Sequence, residues 1–284
     1  MKTMTLIGIV GAGVMGVDVA INCAACGYQV VLMDKSAEVI AKAQLEIPKR
    51  LRNYKMLSPA YRELDASQLS SLINFTTDIS SLSDCPWVIE NVTEDWDTKA
   101  SVYKQLDQIC SDRTYYAVNT SCISITKVAA LMQYPEKVIG MHFMNPAPIK
   151  RCVEAIRGFH TSEDTIDAAK EFLKSLKKRM VLVNDMPGFV ANRLSHLFMN
   201  EAAFLVQDNV ADAVAIDSIF KEGYGHAMGP LETADLIGLD TVVNSLKILY
   251  ESFQDPKFRC CPSLQKMVDA GLLGRKSGQG FYSY

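Results

Sequence analysis

The stretch Gly11-Ala12-Gly13-Val14-Met15-Gly16 constrains this chain more than any other, because glycines at that spacing serve a strand that hands over to a helix at close quarters. The string alone is a weak signal, and its surroundings give it weight. Residues 5 to 10, TLIGIV, read as a buried strand, residues 14 to 26 as a helix, and residues 28 to 34, YQVVLMD, as a second strand. Together they make a unit of about thirty residues, the length of a parallel βαβ crossover.

In such a unit Gly11 permits the tight turn, Gly13 lets a pyrophosphate approach the backbone, and Gly16 lets helix and strand pack closely. The helix N-terminus, opening with Val14 and Met15, adds amide donors and a positive dipole end. Asp34 closes the second strand 18 residues after Gly16. A carboxylate there accepts hydrogen bonds from a ribose and repels a 2′-phosphate, so the expected cofactor is NAD rather than NADP. Lys35 next to it weakens that preference, and a solvated turn acid is the alternative reading of Asp34.

The alternation continues. Strands are expected at 73–76 (INFT), 87–91 (WVIEN), 115–119 (YYAVN), 138–143 (VIGMHF), 152–156 (CVEAI) and 180–184 (MVLVN), with a helix over 163–177. Residues 36–70 read as two polar helical pieces broken near Pro48 and Pro59. Strands alternating with helices give an α/β class: a Rossmann, doubly wound, mostly parallel sheet. At Asn184-Asp185-Met186-Pro187 the pattern changes; a polar cap before proline predicts a helix running to residue 208, with Val190, Leu194, Leu197, Phe198 and Leu205 on one face. The expected domains are therefore residues 1–185, binding NAD, and 186–284, all helical.

Composition excludes several classes. A chain of 284 residues with 49% hydrophobic and 21% charged residues reads as globular, and no segment approaches the roughly 18 to 20 uninterrupted apolar residues of a membrane span. The N-terminal apolar run is broken by glycines and continues into the βαβ pattern, so it reads as a strand of a cytoplasmic protein rather than an export signal. Net charge −3 gives no general attraction to nucleic acid. Eight cysteines in so long a chain read as reduced thiols, and the Cys23/Cys26 pair, late in the first helix, reads as packing rather than redox chemistry. No metal site is expected.

His142 stands at the carboxyl end of a strand, where an open α/β sheet exposes its ligand crevice. Glu154 interrupts the apolar strand CVEAI, and a buried carboxylate is costly without a partner. Pairing the two is economical, because a carboxylate on one ring nitrogen fixes the tautomer and strengthens the base at the other. A structural histidine and a solvent-facing glutamate remain the alternative on the residues alone.

The stretches GIVGAGVMG, IENVTED, NTS, HFMNP, PGFVANRL, GPLETADLIGLDT and GRKSGQGFYSY, in that order, resemble the 3-hydroxyacyl-CoA dehydrogenase family over essentially the whole chain. The resemblance implies NAD-linked interconversion of 3-hydroxyacyl and 3-oxoacyl thioesters, S-specific, with His142 as general base and Glu154 orienting it. It implies that Ser121, of Asn119-Thr120-Ser121, bonds the reacting oxygen. By the same resemblance Asn192 contacts substrate from the second domain, Asn145 lies near nicotinamide and substrate, and Glu94, Lys99 and Asn119 fall toward the nicotinamide half of the cofactor. A homodimer through the apolar face left on the helical domain is also implied. Bland alternatives are a helix cap for Ser121, an Asx-turn for Asn145 and an ordinary helix position for Asn192.

Two segments depart from the common pattern. Ile149-Lys150-Arg151 stands where relatives carry an apolar pair, and the helical excursion credited with gripping CoA phosphates carries Pro48, Lys49, Arg50, Arg52 and Lys55. These, with ENVTEDW and SFQDPKF, look more like the subgroup that oxidises a short glyceryl- or seryl-like group on an acyl carrier protein in polyketide extender-unit biosynthesis, and that handle is the expectation. The alternative is a short-chain 3-hydroxyacyl-CoA dehydrogenase, of the 3-hydroxybutyryl-CoA kind, in fatty acid or butanoate metabolism. Lys49 and Arg52 would meet an acidic carrier or a CoA phosphate, or else form a solvated helix face. A β-hydroxyacid dehydrogenase shares the glycine motif but relies on a lysine where this chain has Asn192 and Arg193. A non-catalytic NAD-binding relative would not be expected to retain Ser121, His142, Glu154 and Asn192 together.

Overall fold

The computed structural model describes residues 6–284, and Thr5, expected at the head of the first strand, lies outside them. The chain divides into two compact units, the first ending at Met186 and the second running from Pro187 to Tyr284.

In the first unit β1 (Leu6–Val10), α1 (Val14–Ala25) and β2 (Gln29–Met33) form the crossover. There follow α2 (Ala37–Leu57), α3 (Ala66–Ser71), β3 (Ile73–Thr76), β4 (Trp87–Glu90), α4 (Trp96–Ile109), β5 (Tyr115–Val118), α5 (Ile125–Ala129) and β6 (Val138–Phe143). The unit closes with β7 (Cys152–Arg157), α6 (Glu163–Ser175) and β8 (Arg179–Asn184). The strands make one eight-stranded sheet in the order β3-β2-β1-β4-β5-β6-β7-β8. Among the described residues, only the β6–β7 ladder of this sheet is antiparallel. The strand order reverses beside β1, which opens a crevice at the carboxyl ends of β1 and β4. Central positions such as Ile7, Ile9, Leu32 and Ile89 are wholly buried, as strands covered on both faces require.

One expectation is corrected here: α2 does not break at Pro48 but runs through it. A proline inside a helix costs about 3 kcal/mol. Against that, Ile40, Ala43, Ile47, Leu51 and Tyr54 form one buried stripe, and each large aliphatic side chain in it contributes about 1.5–3 kcal/mol. Packing therefore outweighs the local penalty. The break comes at Ser58, before Pro59.

The second unit consists of α7 (Ala191–Gln207), α8 (Ala213–Ser218), α9 (Pro230–Ile237), α10 (Leu239–Phe253) and α11 (Pro262–Asp269), around Met199, Ala203, Leu239, Val242, Leu246 and Leu264. Pro187 does not open α7 as expected. Gly188 and Phe189 take φ of +75° and +49°, and a right-handed helix cannot propagate through two left-handed residues, so it begins at Ala191. The expected apolar face of α7 is also only partly inward. Val190 and Leu194 are exposed, while His196, Met199, Asn200, Ala202 and Ala203 form the buried side. The C-terminal aromatic loop is tied to α9 through buried Asp235, which accepts from the amides of Phe281 at 3.0 Å and Tyr282 at 2.9 Å. No helix among the described residues is long and apolar enough to cross a membrane.

Candidate active site

A cleft of about 550 Å³ lies at the switch point, bounded by Val10, Gly11, Gly13, Asp34, Asn91 and Thr98 among others. Its glycines have distinct reasons to be glycine. Gly11 sits at φ +91°, and a Cβ on Gly16 would lie 1.8 Å from the Gly11 carbonyl oxygen. A Cβ on Gly13 would meet nothing within 4 Å, so the loop presents bare backbone to open space, which is the cradle a pyrophosphate needs. Val14 and Met15 follow as the first residues of α1. Asp34 accepts the Ala12 amide on one oxygen and the Ser36 amide on the other, both at 3.0 Å, leaving each oxygen capacity for a ribose hydroxyl. These residues fit NAD.

The second cluster grows from the antiparallel β6–β7 ladder. His142 on β6 and Glu154 on β7 are direct partners in register, so their side chains leave the sheet on the same face. His142 Nδ1 lies 3.1 Å from Glu154 Oε2, and both residues are buried, with 8% and 4% of their surface exposed. A carboxylate can only accept, so Nδ1 carries the proton and Nε2 is left as a base. Ser121 Oγ lies 3.3 Å from Nε2. The result is a Ser–His–Glu chain at the carboxyl end of β6.

Ser121 is held by Glu94, whose Oε1 accepts the amides of Ser121 at 2.8 Å and Cys122 at 2.9 Å together with the Thr120 hydroxyl. Beneath it Lys99 is fully buried and bonds both oxygens of Glu90, at 2.8 and 2.9 Å, and the Asn119 carbonyl at 3.0 Å. Burial pushes the Glu90 carboxyl up and the ammonium opposes it. Its three donors thus meet Glu90 and Asn119, so Lys99 underpins the floor of the site. Asn119 links the two clusters, donating to Asn91 Oδ1 at 2.7 Å and accepting the Phe143 amide at 3.2 Å. Glu90, Asn91 and Thr120 were missed by sequence reasoning, although Glu90 carries the same signal as Glu154, an acid in an apolar strand.

Asn145 is exposed beyond β6 and precedes a cis bond to Pro146. Asn192 belongs to the second unit, where its carbonyl accepts from His196 Nδ1 at 2.9 Å. Of the basic excursion, Arg50 is committed to α1, donating to the Val14 carbonyl at 3.0 Å and to Asp18 at 2.9 Å. Lys49 makes an exposed pair with Glu46 at 3.1 Å, too weak to hold it from an anionic partner, and Arg52 is exposed one helical turn away. Cys23 is buried, and burial pushes its thiol up, away from an activated thiolate.

Against known proteins, the family model described as "3-hydroxyacyl-CoA dehydrogenase, NAD binding domain" matches residues 6–186, and that for the C-terminal domain of the same family matches residues 188–284. The chain is 42% identical to a probable 3-hydroxybutyryl-CoA dehydrogenase of Deinococcus radiodurans, over 98% of this chain and 99% of the relative. It is 39% identical to a 3-hydroxybutyryl-CoA dehydrogenase of Bradyrhizobium diazoefficiens, over 98% and 94%. Among solved structures, the (S)-3-hydroxybutyryl-CoA dehydrogenase of Ralstonia eutropha superposes with a TM-score of 0.91 at 39% identity, covering 99% of both chains.

Proposed function

This chain belongs to the 3-hydroxyacyl-CoA dehydrogenase family, is an NAD-dependent oxidoreductase, and from that premise we propose that it interconverts a short 3-hydroxyacyl-CoA, of the 3-hydroxybutyryl kind, and the 3-oxoacyl-CoA. The expected carrier-protein handle finds no support among these relatives, which are named for CoA thioesters. The alternative raised from the sequence is the better reading.

The observation that carries the chemistry is the chain from Ser121 through His142 to Glu154. NAD bound along the glycine-lined cleft supplies the hydride acceptor. His142 Nε2 takes the proton of the 3-hydroxyl as the carbonyl forms, and general base catalysis of this kind contributes about 10² to 10⁴ in rate. The imidazolium so created faces the Glu154 carboxylate, which stabilises its charge. The Ser121 hydroxyl hydrogen-bonds the same substrate oxygen, held in place by Glu94. Asn145 and Asn192 are assigned to substrate binding in this reading. Lys49 and Arg52 meet the phosphates of CoA. Apolar side chains exposed on the second unit, Leu194, Val214 and Ile219 among them, support a homodimer as part of this reading.

A paired assay tests the proposal: 3-hydroxybutyryl-CoA against the same acyl group on an acyl carrier protein, each with NAD and NADP. Preference for the CoA thioester with NAD is expected. Turnover confined to the carrier-bound substrate would overturn it.

A further inference from the structure

We propose that Lys178 is a positioning residue that clamps the turn joining β6 to β7, and so sets Asn145 and the His142–Glu154 pair for the thioester substrate. The proposal rests on the dehydrogenase reading above. Lys178 sits in the run Lys177-Lys178-Arg179, whose outer members are exposed while Lys178 is 8% exposed. Its ammonium donates to the carbonyls of Ala147, Pro148 (3.3 Å) and Lys150 (2.7 Å), so all three donors close on one turn. That turn cannot satisfy these carbonyls itself, since the amides of Ile149 and Lys150 both go to the Pro146 carbonyl at 3.1 Å. Ala147 and Pro148 are buried, which leaves their oxygens in need of a donor from the protein.

What the clamp holds is the connection between the two strands that carry the dyad. His142 lies near the end of β6, Glu154 near the start of β7, and residues 144–151 between them include Asn145. The Arg179 amide extends the same attachment to the Arg151 carbonyl at 2.7 Å. Other groups facing the site are Tyr61, whose hydroxyl also donates to the Pro148 carbonyl at 3.3 Å, Cys23 of α1 and Cys26 just after that helix. Burial draws the Lys178 ammonium down to about 8. At neutral pH it is therefore largely charged, and above that value it gives up one of its three donors.

Lys178→Met keeps the aliphatic stem and removes every donor. Reduction of 3-oxobutyryl-CoA and NADH binding are measured on both proteins at about pH 7. The expected result is a kcat/KM for the thioester lower by about tenfold to a hundredfold, the scale on which misplaced catalytic groups act. The NADH dissociation constant should stay within about twofold, because no residue of 144–151 bounds the cofactor cleft. Thioester kcat/KM within about twofold of the parent overturns the proposal, and so does an equal loss of turnover and NADH binding, which marks a general structural role. Should the variant not fold, hydrogen exchange on the unaltered protein decides. Protection of the Ile149 and Lys150 amides, corrected for intrinsic rate, should fall relative to β4 between about pH 7 and about pH 9, and an unchanged ratio overturns the clamp. Failure of the unaltered protein to reduce 3-oxobutyryl-CoA would count against the dehydrogenase reading, and the exchange experiment would still test the clamp.

Discussion

Replacing Glu154 by glutamine keeps the shape of the side chain and an oxygen that can accept from His142 Nδ1, and removes only the negative charge. Its effect follows from the geometry. When Nε2 takes up the substrate proton, a cation forms on a ring whose other nitrogen lies 3.1 Å from the Glu154 carboxylate. Unit charges about 4 Å apart attract by about 4 kcal/mol at an effective dielectric near 20, which sets an upper value for a pair this deeply placed. A lower value is about 2 kcal/mol, the scale of a hydrogen bond to a charged group. Because about 1.36 kcal/mol is a factor of ten, Glu154→Gln should lower kcat by about 30-fold to 1,000-fold. NADH formation from 3-hydroxybutyryl-CoA at saturating NAD gives the rate, and NADH fluorescence titration checks that cofactor binding is intact. A kcat within about threefold of the parent, with normal NADH affinity, would refute the reasoning, since the proton would then not rest beside that charge.

Two other expectations come from different parts of the molecule. Asp34→Ala should raise KM for NAD by about tenfold to a hundredfold and narrow the preference over NADP, as the ribose acceptor and the brace on Ala12 and Ser36 go together; steady-state kinetics with both cofactors checks it. His196 is buried and burial holds its basicity below the ordinary histidine value of 6.5. As pH falls below about 6.5 the unfolded chain binds a proton that the folded chain refuses, so stability declines until the lower folded value is passed. Urea midpoints between about pH 7.5 and about pH 5.5 should fall more steeply in the parent than in His196→Gln, and equal slopes would contradict this.

What could be read from the sequence was whatever local pattern dictates. The strands were legible because β-rich apolar runs punctuated by polar turns leave few alternatives, and the cofactor loop because Gly11 and Gly16 answer steric demands visible in their spacing. The partnership of His142 and Glu154 was legible for an energetic reason: an acid in an apolar strand needs a partner, and the next strand supplied one. The same argument applied to Glu90 would have found Lys99, which instead was read as a cofactor contact. Lys178 carried no signal, because three consecutive cations look like a solvated run and only tertiary packing turns the middle one inward. Pro48 misled for the converse reason, since a local rule was overridden by a buried stripe that the sequence spreads over fifteen residues, Ile40 to Tyr54.

The central claim is that Glu154 holds a proton on Nδ1 of His142 and leaves Nε2 unprotonated to act as the base. Imidazole nitrogen chemical shifts in histidine-labelled protein report where that proton is, and with only four histidines in the chain a His142→Gln sample assigns the signal. The account predicts that neutral His142 is protonated at Nδ1 and unprotonated at Nε2. A neutral ring with its proton on Nε2 would contradict it.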